Sequence, residues 1–292
     1  MFEQLGLIGC GLMGGSFALA LKRAGLVKRV VGYSKSPSTT ERARQMGVID
    51  VEAPSALLAV SGADIVLLAV PVSATEATFK AIRHLVNANT LIMDVGSTKR
   101  DVVDAARRVL RDHVGCFVPA HPITGKEVSG VENADVNLYA GKQVILTPIE
   151  RTFTVQLQKA VDVWTALGCN VVKMSPQSHD AAYAAVSHLP HLIAFALISS
   201  ISGQPQGEDY LSLAGPGFRD FSRIAASDPK MWRDILIANR EELLEQSKIF
   251  QATLHSLEKL IASGEGDALE ARIDQASSTR ANWRISLPKS PK

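Results

Sequence analysis

The first half of the chain alternates short, unbroken apolar runs with stretches of helical period. The apolar runs are Leu5–Ile8, Val30–Tyr33, Ala63–Val70, Thr90–Val95, Cys116–Val118, Gln143–Thr147 and Asn170–Val172. Ser16–Ala24, Thr39–Met46, Glu76–Leu85, Arg100–Leu110 and Phe153–Leu167 read as helices between them. Continuous rather than alternating apolarity marks strands buried on both faces, as in a mostly parallel sheet. Repeated strand–helix units predict a doubly wound α/β domain.

The pattern changes at Ser175-Pro176, an N-cap and first-turn pair that starts a helix well. Beyond it there is almost no strand signal, so the predicted domains are 1–175 and an all-helical 176–292. Ala181–Ile201 reads as a helix with a kink at Pro190, and Gly203–Asp209 as a loop. Asp228-Pro229 opens a run with Leu236, Leu243, Phe250 and Leu257 at sevenfold spacing, flanked by Leu254 and Ile261. That predicts a single helix of roughly 30 residues with a packing stripe, suited to a homodimer interface. Leu269–Ala281 is the last helix, and the tail Pro288–Lys292 is expected to fray.

Composition narrows the class. The length of 292 residues suits two domains. Lys plus Arg number 31 against 29 for Asp plus Glu, so no basic excess is present to bind nucleic acid. A 46% hydrophobic and 21% charged chain is not disordered. Cys10, Cys116 and Cys169 are sparse and far apart, with no disulfide framework and no metal-ligand spacing. They suit small buried hydrophobes in a reducing cytosol. No secretory leader is visible, and the most apolar stretch, Leu192–Ile198, is too short to span a membrane. A cytoplasmic, soluble protein follows. With only 5% aromatics the core is expected to be aliphatic. Phe218, Phe221 and Trp232 concentrate the scarce rings in the second half, where they are expected to line a pocket.

Gly9-Cys-Gly11-Leu12-Met13-Gly14 matches G-x-G-x-x-G between a predicted strand and a predicted helix, the context that gives the motif meaning. Its glycines permit a tight turn and close approach of backbone to a pyrophosphate, which the helix N-terminus then holds. An acid about 20 residues on would bind the ribose of NAD. Ser34 stands there, in Ser34-Lys35-Ser36, and this set suits a 2′-phosphate. NADP acceptance is therefore expected, with NAD use also open. Val70-Pro71 and Asp94-Val-Gly-Ser97-Thr-Lys99 end the strands on the carboxyl side, where ligands of such sheets bind. Ser97 and Thr98 also suit a cap for Arg100–Leu110.

His84, His113 and His255 fall on charged surfaces, whereas His121 follows a strand and opens His121-Pro-Ile-Thr-Gly-Lys-Glu127 beside the crevice. An imidazole there suits proton transfer near neutrality. The second half adds His188-Leu-Pro-His191 and Gly215-Pro-Gly-Phe-Arg219-Asp220-Phe-Ser-Arg223, a plausible carboxylate clamp. From these residues alone the chain is a dehydrogenase of a small anionic hydroxyl compound. A β-hydroxyacid dehydrogenase and a non-catalytic NADP(H) sensor are the alternatives.

The glycine loop, Asp94–Lys99, His121–Glu132, Ser187–His191 and Phe218–Trp232, in that order, resemble the prephenate/arogenate (cyclohexadienyl) dehydrogenase family over nearly the whole chain. The resemblance implies a Rossmann-like domain followed by a helical dimerisation domain. It implies oxidative decarboxylation of prephenate or arogenate, with His121 accepting a hydrogen bond from the ring 4-hydroxyl and Ser97 orienting both. Arg223 would hold a substrate carboxylate and His191 would line the pocket. Glu127, Asp220 and Trp232 would surround its entrance, although Glu127 and Asp220 also suit ion pairs with Lys126 and Arg219. Neither a fused chorismate mutase nor an ACT domain is expected, so tyrosine would inhibit at or near the active site.

Overall fold

The computed structural model describes residues 1–126 and 128–284. Glu127 and the tail Pro288–Lys292 lie outside the described residues. The chain divides into two compact units, Met1–Arg240 and Glu241–Lys292. Strands give way to helices at residue 175, within the first unit.

In the first unit six parallel strands run in the order β3-β2-β1-β4-β5-β6. They are β1 (Phe2–Ile8), β2 (Val27–Tyr33), β3 (Val51–Glu52), β4 (Ile65–Leu68), β5 (Leu91–Asp94) and β6 (Phe117–Val118). Helices α1 (Leu12–Arg23), α2 (Pro37–Gln45), α3 (Ala56–Val60), α4 (Thr75–Ile82) and α5 (Arg100–Leu110) make the crossovers. The strand order reverses between β1 and β4, which opens a crevice at their carboxyl ends. Helix α5 shows why these segments are helical. Val102, Val103, Ala106, Val109 and Leu110 fall on one face and are buried.

A second sheet joins β7 (Ala120–Pro122), β8 (Gln143–Leu146) and β9 (Asn170–Lys173), with β7 antiparallel to β8 and β9 parallel to it. The helix α6 (Thr154–Ala166) lies between β8 and β9 in sequence. His121 is therefore within a strand rather than at the head of a loop. The strands β3 and β7 are only two and three residues long, too short for a periodicity to announce them.

The core is mostly aliphatic, as expected, but most of the buried rings lie in it rather than around a pocket. Phe17, Tyr139 and Trp164 pack edge-on and tilted against one another, and Phe79 meets Phe117 edge-to-face. All five are fully buried or nearly so. The rings therefore anchor the two faces of the sheet. Phe221 is exposed, and Phe218 lines an apolar cavity with Ile201, Tyr210 and Leu211, apart from the histidines described below.

The helical part opens as expected. Ser175 Oγ accepts from the Ser178 N–H at 3.0 Å, and Pro176 fills the first turn of α7 (Pro176–Tyr183). A π-helical turn, Ala184–His188, leads into α8 (Leu189–Ser202), which carries Pro190 in its first turn. The irregularity expected at Pro190 thus takes the form of a widened turn just before it, where the missing N–H is accommodated. Together Pro176–Ser202 form 27 helical residues with a mean hydropathy of 1.6 over their most apolar window, enough by length and composition to cross a membrane. The apolar helical stretch is thus far longer than Leu192–Ile198, because the two helices and the π turn run on without a break.

Part of the expected loop Gly203–Asp209 is helical, since α9 spans Gly207–Ser212. Helix α10 (Pro216–Ser222) and a 3₁₀ turn, Arg223–Ala226, pack on α8. The expected 30-residue helix is two helices, α11 (Pro229–Ala238) and α12 (Arg240–Ser263), interrupted at Asn239. Asn239 leaves helical geometry at φ −105° and ψ 29°, and its side chain turns inward to bond Asp180 and His188. In the second unit α12 is followed by α13 (Gly266–Asn282), and Leu244, Ile249, Leu254, Ile261 and Ile273 are exposed on this pair.

Candidate active site

Gly9 sits at φ +97°, and a Cβ there would meet the Ala69 carbonyl oxygen at 2.2 Å. A Cβ at Gly14 would meet the Gly9 carbonyl oxygen at 2.0 Å. These two glycines let the loop press against the end of β4. Gly11 differs, because a Cβ there would meet nothing within 4 Å. Gly11 is the N-cap of α1 and gives it no side-chain cap. The start of α1 thus has room beside it and N–H groups that no N-cap side chain occupies, a cradle that fits a pyrophosphate. The Leu12 side chain is in the core and Met13 packs against it, so these residues meet that space through their backbone. Ser34 Oγ accepts from the Cys10 N–H at 2.9 Å, which ties the end of β2 to the loop. Lys35 is exposed just beyond, as is Pro71 after β4, while Val70 is half-buried.

The end of β5 holds a buried ion pair. Asp94 and Lys99 are 2% and 0% exposed, and Lys99 Nζ bonds Asp94 Oδ2. Lys99 Nζ also donates to the Ala120 carbonyl at 2.8 Å, and Asp94 Oδ1 accepts from the Ala120 N–H at 2.9 Å. Both polar groups of Ala120 are thereby clamped, and the next residue is His121. Ser97 lies half-buried in the loop between Asp94 and Lys99. Neither Ser97 nor Thr98 caps α5, contrary to expectation. The cap comes from α7, where Asp180 accepts the Lys99 and Arg100 N–H groups, each at 2.9 Å. A carboxylate at this helix end satisfies orphan donors and complements the helix dipole.

Three side chains then form a chain of hydrogen bonds. His121 Nδ1 lies 2.8 Å from His179 Nε2, and His179 Nδ1 lies 2.7 Å from Asp180 Oδ1. Tyr183 stacks on His179, with centroids 4.5 Å apart, and tilts against His121. Burial, reinforced by the neighbouring His179 and Lys99, pushes the His121 pKa well below 6.5. Burial also lowers His179, with Asp180 pulling against it. His121 is thus a neutral imidazole at neutral pH, able to accept a proton.

On the adjoining turn Asn239 Nδ2 bonds the Asp180 carbonyl at 2.8 Å and lies 3.1 Å from His188 Nδ1. Burial pushes His188 down to about 4. His191 Nδ1 donates to the Ser187 carbonyl at 2.9 Å, and its ring lies flat on Trp232. Trp232 is buried in α11, which packs against the turn following Pro71, where Ser73 Oγ donates to Asp234 at 2.5 Å. Arg223 is exposed on the turn that packs against α8, the helix that carries His191. Asp220 is exposed and pairs with Arg219 at 3.5 Å, and Lys126 pairs with Asp135 at 3.2 Å. Glu127 lies outside the described residues.

Residues 17–173 match the nucleotide-binding domain of prephenate dehydrogenase, and residues 175–275 match its dimerization domain. The chain belongs to the prephenate dehydrogenase family. The cyclohexadienyl dehydrogenase of Zymomonas mobilis is 34% identical over 282 residues, covering 96% of this chain and 96% of that protein. The crystal structure of A. aeolicus prephenate dehydrogenase in complex with hydroxyphenyl propionate and NAD+ is 36% identical with a TM-score of 0.90, covering 96% of this chain and 98% of that one. Synechocystis arogenate dehydrogenase is 28% identical with a TM-score of 0.82, covering 97% and 100%.

Sequence reasoning missed several residues of this prephenate dehydrogenase family site. Asp94 and Lys99 were visible only as part of a strand-end motif, and nothing in the sequence distinguishes a buried lysine from a solvated one. His179 and Asp180 form an adjacent pair just inside a capped helix start, a signal that could have raised them. Asn239 was hidden because the heptad spacing runs through it without interruption.

Proposed function

We propose that this chain carries out the oxidative decarboxylation of prephenate, of arogenate, or of both, giving 4-hydroxyphenylpyruvate or tyrosine in tyrosine biosynthesis. The observation that carries this reading is His121, neutral and clamped through Ala120 to Asp94 and Lys99 at the carboxyl end of β5, in the same parallel sheet whose β1 runs into the glycine cradle. A nicotinamide dinucleotide bound in the glycine cradle would supply the acceptor for the hydride that leaves ring C4. His121 takes the hydrogen bond, and with it charge, from the 4-hydroxyl as that oxygen becomes carbonyl-like. Loss of the ring carboxylate as CO2 aromatises the ring and drives the step forward. Ser97 orients the hydroxyl and His121. Arg223 pairs with a substrate carboxylate, for which a guanidinium is well shaped. His191 lines the pocket, Trp232 and Asp220 stand near its entrance, and the family resemblance alone assigns Glu127 a role there.

The dinucleotide would be held by Gly9, Gly11, Gly14 and the backbone of Leu12 and Met13, with Ser34, Lys35, Val70, Pro71 and Ser97 as its further contacts. No carboxylate follows β2, and Ser34-Lys35-Ser36 supports acceptance of NADP as well as NAD. A kcat/KM ratio strongly favouring NAD would remove that part of the reading. Functionally the division falls at 175, with 1–175 serving the dinucleotide and 176–292 serving the substrate and a homodimer. The exposed apolar faces of Pro176–Ser202 and of the second unit support a second copy of the chain, rather than a lipid, as what covers them. The three buried free thiols suit a cytoplasmic enzyme. The test is to incubate the protein with prephenate or arogenate and either dinucleotide. Equimolar reduced dinucleotide, CO2 and aromatic product support the reading. Turnover only with other hydroxy acids, or none with any, refutes it.

A further inference from the structure

We infer that His179 and Asp180 are positioning residues that fix the tautomer of His121, so that its Nδ1 carries the hydrogen and its Nε2 presents a bare lone pair. The inference deepens the proposed role of His121 as the proton-accepting group and rests on it.

An ionised carboxylate only accepts hydrogen bonds. Asp180 Oδ1 lies 2.7 Å from His179 Nδ1, so Nδ1 of His179 must carry the hydrogen. His179 is fully buried and neutral, so its Nε2 has no hydrogen and can only accept. His121 Nδ1, 2.8 Å from that atom, must therefore donate. A neutral imidazole has one N–H, which leaves His121 Nε2 bare. The opposite arrangement would set the lone pair of His179 Nδ1 against the carboxylate.

Each member of the chain is held independently of His121. The Asp180 oxygens also accept the N–H groups of Lys99 and Arg100, and its peptide carbonyl accepts from Asn239. Burial alone would raise the Asp180 carboxyl, but the hydrogen bonds from His179, Arg100 and Lys99 outweigh it and hold it below the usual range. His179 is fixed by its stack on Tyr183. The titratable and charged groups that face the pair are Lys99 and Asp94 from the end of β5, Asp180 and Tyr183 from α7, and His188 from the π turn. When His121 Nε2 takes the substrate proton, its Nδ1–H stays on the hydrogen bond to His179. The negative charge of Asp180 stabilises the new imidazolium, and no proton passes along the chain.

Histidine ¹⁵N NMR reads the tautomer directly. At pH 7 the His121 of the wild type should show a protonated Nδ1 and an unprotonated Nε2. In His179→Phe, which keeps a ring on Tyr183 but removes the acceptor, the Nε2–H form should become populated. Its kcat should fall at least tenfold (the low end for a positioned acid–base group is about 10²), with KM changed less than about threefold. His179→Gln restores an acceptor oxygen and should recover part of the kcat. A wild-type His121 carrying its hydrogen on Nε2 overturns the inference, even if the Phe variant does not fold. So does a folded Phe variant with unchanged tautomer and kcat. If His121→Asn remains inactive in that case, only the positioning role fails. If His121→Asn turns over normally, the base itself is wrongly assigned.

Discussion

The imidazole of His191 lies on the indole of Trp232, with ring centroids 3.5 Å apart and planes 20° from parallel. The stack fixes the His191 ring from one face, while the bond from Nδ1 to the Ser187 carbonyl fixes its rotation. Trp232 is only 7% exposed, and its indole also meets His188 and Phe195 edge-on. Trp232→Ala should therefore loosen His191 and raise KM for the substrate several-fold, while kcat changes less. It should also cost about 3–5 kcal/mol of stability, the usual range for a buried large-to-small change. Trp232→Phe should be milder in both. Steady-state kinetics and denaturant midpoints on the two variants check this, and an unchanged KM in the Ala variant would detach Trp232 from the pocket.

Arg223→Ala should raise KM with a smaller effect on kcat, because it removes carboxylate binding made in the ground state as well as the transition state. A charge-assisted bond of about 1.5–3 kcal/mol corresponds to roughly 10- to 100-fold. An unchanged KM would release Arg223 from substrate binding.

The acid side of the pH profile follows from the lowered histidines. His121 must be neutral to accept a proton, and burial beside His179 and Lys99 keeps it neutral well below pH 6.5. The acid limb of kcat/KM should therefore lie below pH 6.5. Stability changes in the same direction. Between about pH 4 and 6.5 the unfolded chain binds protons at His188 that the folded chain refuses. The unfolded state binds more protons there, so stability falls as pH drops through that window and is recovered above 6.5. His121 and His179 add to the same slope. Thermal midpoints measured from pH 7.5 to 5 should decrease. A flat profile would show that these rings are not buried as neutral groups.

Lys99→Met should leave the Asp94 carboxylate buried without its cation and the Ala120 carbonyl without a donor. Breaking a buried pair from one side costs about 3–5 kcal/mol. Urea unfolding measures this directly, and a loss below about 1 kcal/mol would mean that the clamp on Ala120 contributes little.

Much of the fold was legible because its cause is local. The apolar runs of β1, β4 and β5 are buried on both faces, and such runs announce themselves without reference to anything distant. Caps are equally local, and Ser175 and Asp228 bond their own first turns as their sequence context implies. What was hidden depends on partners far along the chain. The cap of α5 comes from Asp180, 80 residues on from Arg100. The interruption between α11 and α12 comes from Asn239 turning toward Asp180 and His188, although the apolar spacing there favours a continuous helix. His121 was legible by its place after a strand. Its partner His179 was not, since nothing in the sequence between them, a separation of 58 positions, carries a sign of the contact.

The central claim is that a neutral His121 accepts the proton, or the charge, of the substrate hydroxyl while the dinucleotide is reduced. The direct measurement is absorbance at 340 nm under saturating dinucleotide, comparing the wild type with His121→Asn over a range of prephenate and arogenate concentrations. The account predicts a kcat lowered about 10²- to 10⁴-fold with KM nearly unchanged. A His121→Asn enzyme that turns over at close to the wild-type kcat would contradict it.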